Sequence, residues 1–266
     1  NERKSPALAG DAENIMEDFF TKAFESHPDR ESFYRTVFMA ESSDYAASLR
    51  REYYKTKLKH MGENVYIGAN VKIENPQYIS LGDNVSIGDG STLIARGEGG
   101  ITLADGVRVQ ERVYLDTERP DGYINVEDNV YIGTGTTLFG HCGLEIGSHS
   151  LLAQNITITP YSHIFEDKDR YICEQGGHTK KVTIGRDCYL GMRVTVLYSA
   201  DIGEGSVVGS GSVVVKPLPP YSVAVGNPAR IIRRRGEPKQ KQDKQISSQE
   251  QTSQELNNHA TLNHRR

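Results

Sequence analysis

The sequence predicts a mainly β protein wound as a parallel β-helix, and three observations point there. The first is a beat of six. From Val182 onward an aliphatic residue returns at Ile184, Leu190, Val196, Ile202, Val208 and Val214, and the same spacing joins Ile146, Leu152 and Ile158. The second is alternation inside each unit. Val65 and Ile67, Val71 and Ile73, then Val85 and Ile87 are aliphatic pairs separated by one residue, the period of a strand that buries one side. The third is turn chemistry: glycine follows the second aliphatic at Gly68, Gly82, Gly88, Gly133, Gly147, Gly185, Gly203 and Gly209. A chain that makes a short strand and then turns equally, again and again, coils and stacks strand on strand.

The elements follow in order. Residues 1–61 read as an N-terminal helical cap, with Ile15, Phe19, Phe20 and Phe24 at helical spacing, Phe33, Val37 and Phe38 beyond, and a break near Pro28. Repeat proteins need such a cap because the first coil would otherwise leave its core open. Residues 62–235 carry the repeat. Its turns lengthen at "IENPQYISLG", "ARGEGGI", "DTERPDGYI" and "FGHCGLEIG". Residues 236–266 are rich in Gln, Ser and Lys with almost nothing apolar, a composition that predicts a disordered tail.

Composition excludes several classes of function. A net charge of −4 with scattered signs supplies no basic field for nucleic acid or anionic lipid. No apolar run approaches the ~20 residues of a membrane helix. Residues 1–14 contain no secretory-type apolar segment, and Cys142, Cys173 and Cys188 are too few and irregular for a disulfide framework. These features predict a reducing, cytoplasmic setting.

The beat fails once, between Ile158 and Ile184, and the segment "TITPYSHIFEDKDR" displays His163 just past the start of that gap. The stretch "GHCGLEIGSHSLLAQNITITPYSHIFEDKDRYICEQGG" and the closing stretch "VTIGRDCYLGMRVTVLYSADIGEGSVVGSGSVVVKPLPPYSVAVGNPARIIRRR" resemble the hexapeptide-repeat acyltransferases. They are most similar to the galactoside, maltose and related glycan O-acetyltransferases, over roughly residues 62–235.

That resemblance implies a left-handed coil, a homotrimer with an acyl-CoA groove between neighbouring β-helices, acetyl-CoA as co-substrate, and no metal. It implies that His163, on the inserted loop 159–181, takes the proton from an acceptor hydroxyl of a sugar or glycan precursor. Glu166, Asp167 or a backbone carbonyl would orient the ring, and His141 would approach it across successive coils and help bind a hydroxyl or carboxylate. Tyr189 stands where the family commonly has Trp, Met192 where a small residue is usual, Ser210 in place of Ala and Val215 in place of Thr. Lys216 is retained, and Arg230 and Arg233 match basic positions that meet the CoA phosphates, a task suited to a guanidinium fork.

Two other readings compete. The coil can serve as a rigid scaffold without catalysis. A zinc site of the γ-carbonic-anhydrase type needs three histidines brought together across a subunit boundary, and the spacing of His141, His149, His163 and His178 does not match that pattern.

Overall fold

A computed structural model describes residues 36–237. Within them the six-residue beat closes into three parallel sheets, which form the flat faces of a β-helix. The first face runs from His60–Met61 to Val182–Ile184, the second from Tyr66–Ile67 to Arg230–Arg234, and the third from Lys72–Glu74 to Val213–Val214. The third face contains seven strands, one per coil.

The predicted beat is the core. Ile146, Leu152, Ile158, Ile184, Leu190, Val196, Ile202, Val208 and Val214 are each at most 1% exposed. The corner positions before each strand are buried as well, and several carry a small hydroxyl rather than an aliphatic group. Ser150 shows why this is tolerated. Its Oγ donates to the carbonyl of Gly185 (2.9 Å) and accepts from the amide of Cys188 (3.1 Å), both on the next coil. Ser91 and Ser206 bridge successive coils in the same way, so each buried hydroxyl is fully partnered.

The repeat glycines have a different cause from the one the turn chemistry implied. Their backbone is not left-handed. A Cβ added to Gly133 would lie 2.5 Å from the carbonyl carbon of Ala153 and 2.8 Å from the amide of Gln154 on the coil above. Glycine is there because the coils approach too closely for a side chain. The left-handed positions fall elsewhere in the edge turns and are taken largely by asparagine and glycine. Asn84 (φ 56°), Asn129 (58°) and Asn155 (58°) are examples, and this is the conformation a type II turn requires at its third residue.

The helix Asp44–Lys55 closes one end of the coil, capped at its start by Ser43, whose hydroxyl accepts from the amide of Ala46. Tyr54 and Leu58 join the core cluster of the coil. Arg50, fully buried, donates from Nε to the carbonyl of Ile67 (2.8 Å) and from Nη1 to those of Phe38 and Glu41. The helical segment expected around residues 15–33 and the tail from residue 238 lie outside the described residues.

All irregularity leaves from one edge. From the second face to the third the step is always six, from Tyr66 to Lys72 in the first coil through Val207 to Val213 in the last. Extra residues enter only between the third face and the first, at 75–78, 95–100, 117–123, 140–143 and 159–181. Leu151 pairs with Tyr189 across the last of these, 38 positions on, whereas Tyr189 pairs with Val207 after 18. The coil therefore resumes in register above the long loop.

Gly133→Ala should destabilise the chain by roughly 1–3 kcal/mol, the usual cost of forced overpacking. Denaturant unfolding with an unchanged midpoint would show that the coils can separate to admit a methyl group.

Candidate active site

The loop 159–181 is a built element. Its base is an antiparallel ladder of Tyr161–His163 against Gly177–Thr179, in which His163 faces Gly177. The coils on either side grip it. Thr159 donates its amide to the carbonyl of Val196 (3.1 Å) and Lys180 Nζ reaches Ser199 Oγ (3.0 Å). Lys181 pairs with Glu145 (2.9 Å), which also accepts from the Tyr123 hydroxyl. Ser199 is left-handed (φ 64°) and completes the turn of the coil above.

His163 ends a paired strand, so its backbone is fixed while its ring is exposed. Nδ1 lies 3.3 Å from the Tyr161 hydroxyl, and the two rings meet edge to face at 4.8 Å. His141, from the insertion one coil below, stacks on Tyr161 at 5.0 Å and 28°. The expected approach of His141 to His163 is thus mediated by an intervening tyrosine ring. Burial, then the nearby Arg119, lowers the basicity of His141, while Asp116 works weakly in the other direction.

The expected orienting acids are engaged elsewhere. The Asp167 carboxylate accepts from the amide of Asp169 (3.0 Å), and its own amide donates to Gln175 Oε1 (3.1 Å). Glu166 accepts from the amide of Phe165 (3.1 Å). These contacts shape the loop tip, and the group at His163 Nδ1 is Tyr161 instead.

Beneath the histidines lies a polar cluster that the sequence did not disclose. Asp116 is fully buried and takes Arg96 at both oxygens (3.0 and 2.7 Å), the Tyr114 hydroxyl (2.9 Å) and the amide of Glu118 (2.7 Å). Burial alone would raise the pKa of this carboxyl, but its four hydrogen bonds overcome that and hold it below the ordinary range. Arg96 and Asp116 are one coil apart, a relation invisible without the register. Tyr161 was more accessible: two residues before His163 on a strand, it must share a side with it.

The residues expected at the cofactor spread over the last coils. Tyr189 is outward on the second face, in a cross-strand row with Leu151 and Val207. Arg233 continues that row through Val223, and Arg230 pairs with Val225. Residues three apart normally point to opposite sides of a strand. The bulge opposite Val223 and Ala224 brings Arg230 and Arg233 to the same side, and neither has an acidic partner among the described residues. Met192 and Ser210, both exposed, sit on successive coils at the edge between the second and third faces. Val215 and Lys216 follow the third face, toward the loop-bearing edge, on the coil above Leu197 and Tyr198. A hollow at the remaining edge, lined by His149, Arg186, Asp187, Glu204 and Tyr221, is occupied by internal pairs: Arg186 with Glu204, Tyr221 with Glu204 and Arg235 with Asp187. It fastens the C-terminal hairpin.

Sequence comparison agrees with this architecture. Residues 181–216 match the family model described as bacterial transferase hexapeptide (six repeats), and residues 61–95 match the hexapeptide repeat of succinyl-transferase. Both matches are to hexapeptide repeats of transferases. A Mycobacterium tuberculosis protein named as an acetyltransferase is 31% identical over 174 residues, 64% of this chain and 50% of that one. The chain therefore spans half the length of this relative. A Staphylococcus aureus protein, also named as an acetyltransferase, is 51% identical over 53 residues, 20% of this chain and 27% of the other. Among solved structures, AntD, an N-acyltransferase from Bacillus cereus in complex with dTDP and 3-hydroxybutyryl-CoA, aligns with a TM-score of 0.52 at 21% identity, over 82% of this chain and 100% of that one. At that identity the likeness speaks for the fold. Among the described residues no helix is long and apolar enough to cross a membrane, no cluster of His, Cys, Asp or Glu could hold a metal, and the three cysteines are free thiols.

The site makes a titration prediction. Because the folded state lowers the basicity of His141, its protonation favours unfolding. Its contribution to stability is complete above the ordinary value of 6.5 and is lost as pH falls from there toward the folded value. An NMR titration should place the His141 midpoint below 6.5; a midpoint at or above that value would contradict the burial argument.

Proposed function

We propose that the chain is an acetyl-CoA-dependent O-acetyltransferase acting on a hydroxyl of a sugar or glycan precursor, with His163 as general base. The observation that carries this reading is the longest break in the beat. The longest of the five insertions leaves the coil at 159–181, and its hydrogen-bonded base presents an exposed imidazole whose Nδ1 is already engaged. The names of the relatives and the matched hexapeptide repeats support acyl transfer by the whole protein.

In this reaction the acceptor oxygen attacks the thioester carbonyl while His163 Nε2 takes its proton. The new C–O ester bond forms, the C–S bond breaks, and the proton held by His163 passes to the departing CoA thiolate. No covalent acyl-enzyme is needed. Tyr189, Met192 and Ser210 would flank the pantetheine arm, with Val215 and Lys216 nearer the loop. Arg230 and Arg233, on one side and without an acidic partner among the described residues, suit the CoA phosphates, because a guanidinium fork matches phosphate geometry. The reading includes a homotrimer in the cytoplasm with the groove between neighbouring subunits.

His163→Ala should lower kcat by roughly 10²–10⁴-fold, the usual contribution of a general base, while CoA binding persists. Turnover near the wild-type value, measured as thiol release against a panel of hydroxylated and aminated sugars, would overturn the assignment.

The shared groove has its own test. If the two walls come from different chains of a three-fold ring, mixed trimers of His163→Ala and Arg230→Ala/Arg233→Ala protomers should regain activity that neither parent has. Verified mixed trimers without any gain would return both walls to one chain.

A further inference from the structure

We propose that Tyr161 is the positioning residue of this site. Its hydroxyl oxygen accepts the Nδ1 proton of His163 and so fixes the tautomer whose Nε2 is free to act as base, and residue 177 is glycine to leave room for the tyrosine ring. The inference rests on the reading of His163 as general base.

A neutral imidazole carries one proton. For Nε2 to receive the proton of an acceptor, Nδ1 must hold the other, and that N–H needs an acceptor to keep the ring from flipping or changing tautomer. The Tyr161 hydroxyl is 3.3 Å from Nδ1. The two carboxylates nearest in sequence, Glu166 and Asp167, are bonded to backbone amides of the loop tip. A hydroxyl can take this role because its oxygen accepts while its own proton turns toward solvent.

The tyrosine is itself held on three sides. His141 stacks on its face at 5.0 Å, His163 meets it edge to face at 4.8 Å, and its hydroxyl end lies over Gly177. A neutral His141 favours this arrangement, since a second cation here would oppose the charge that forms on His163. Burial shifts His141 toward the neutral form.

Gly176 and Gly177 are adjacent glycines with different reasons to be glycine. Gly176 is left-handed, with φ 80° and open space around it. Gly177 is not among the left-handed residues, so any amino acid could adopt its backbone. Its constraint is space, because a Cβ there would collide with the hydroxyl, Cζ and Cε2 of Tyr161. The residue facing His163 across the ladder thus makes room for the group that orients it.

Tyr161→Phe keeps the ring and removes the oxygen, whereas Gly177→Ala keeps the oxygen and displaces the ring. Each should lower kcat by roughly 10- to 100-fold, the scale on which a catalytic group misplaced by about 1 Å loses rate, and leave KM for acetyl-CoA within about twofold. Histidine ¹⁵N spectra of the full chain should show His163 as the Nδ1–H tautomer in the wild type and a shift toward Nε2–H in both variants. His163→Ala is assayed beside them. If it is inactive while Tyr161→Phe keeps both its kcat and the Nδ1–H signal, the positioning role is wrong and the base assignment stands. A kcat loss in Tyr161→Phe with an unchanged tautomer would reduce Tyr161 to loop packing and also overturn the proposal. An active His163→Ala would remove the base assignment and this inference with it.

Discussion

Every feature of this chain depends on the stacking of one coil directly on the next. Along the strands, backbone amides and carbonyls are paired between coils, so each coil must present the same path to its neighbour. Tyr131 faces Leu151, Leu151 faces Tyr189, and Tyr189 faces Val207 in one unbroken row. A residue gained or lost inside a strand would turn every later side chain to the opposite face. Two sequence demands follow from the close approach: glycine where a coil crosses its neighbour with no room for a Cβ, as at Gly133, and small hydroxyls that bridge coils at buried corners, as at Ser150.

The same constraint decides where variation is allowed. An insertion survives if the chain returns to its register, and here all insertions leave from the edge between the third and first faces. Chemistry-bearing side chains far apart in sequence are thereby collected on one line. Arg96 and Asp116, His141, then Tyr161 and His163 come from successive insertions or the strand ends beside them. The long loop gains its rigidity from the coils that hold it, with Lys181 bonded to one below and Lys180 and Thr159 to one above.

The ends of the coil are open sheets and need covering. The helix Asp44–Lys55 serves one end, where buried Arg50 donates to the carbonyl of Ile67 on the first coil. At the other end the chain folds back as the antiparallel strand Arg230–Arg234, fastened by Arg234 to the carbonyl of Pro220 and by Arg235 to Asp187. The cluster "RIIRRR" therefore divides its labour: Arg234 and Arg235 hold the fold, while Arg230 and Arg233 remain turned outward together.

The architecture was legible in the sequence because it is local and periodic. Six-residue spacing, alternating burial and one broken beat are properties of neighbours along the chain, and they sufficed for the β-helix, its core residues and the loop bearing His163. The partners of that histidine were not legible in the same way. Asp167 is close in number but bends toward the amide of Asp169, while His141, 22 positions earlier, reaches the site because one coil sits on another. Asp116 and Arg96 meet for the same reason. Sequence by itself determined which faces are buried and where the chain must leave the coil. Only the stacked structure decided which side chains share an edge, because that depends on the length of every turn between them.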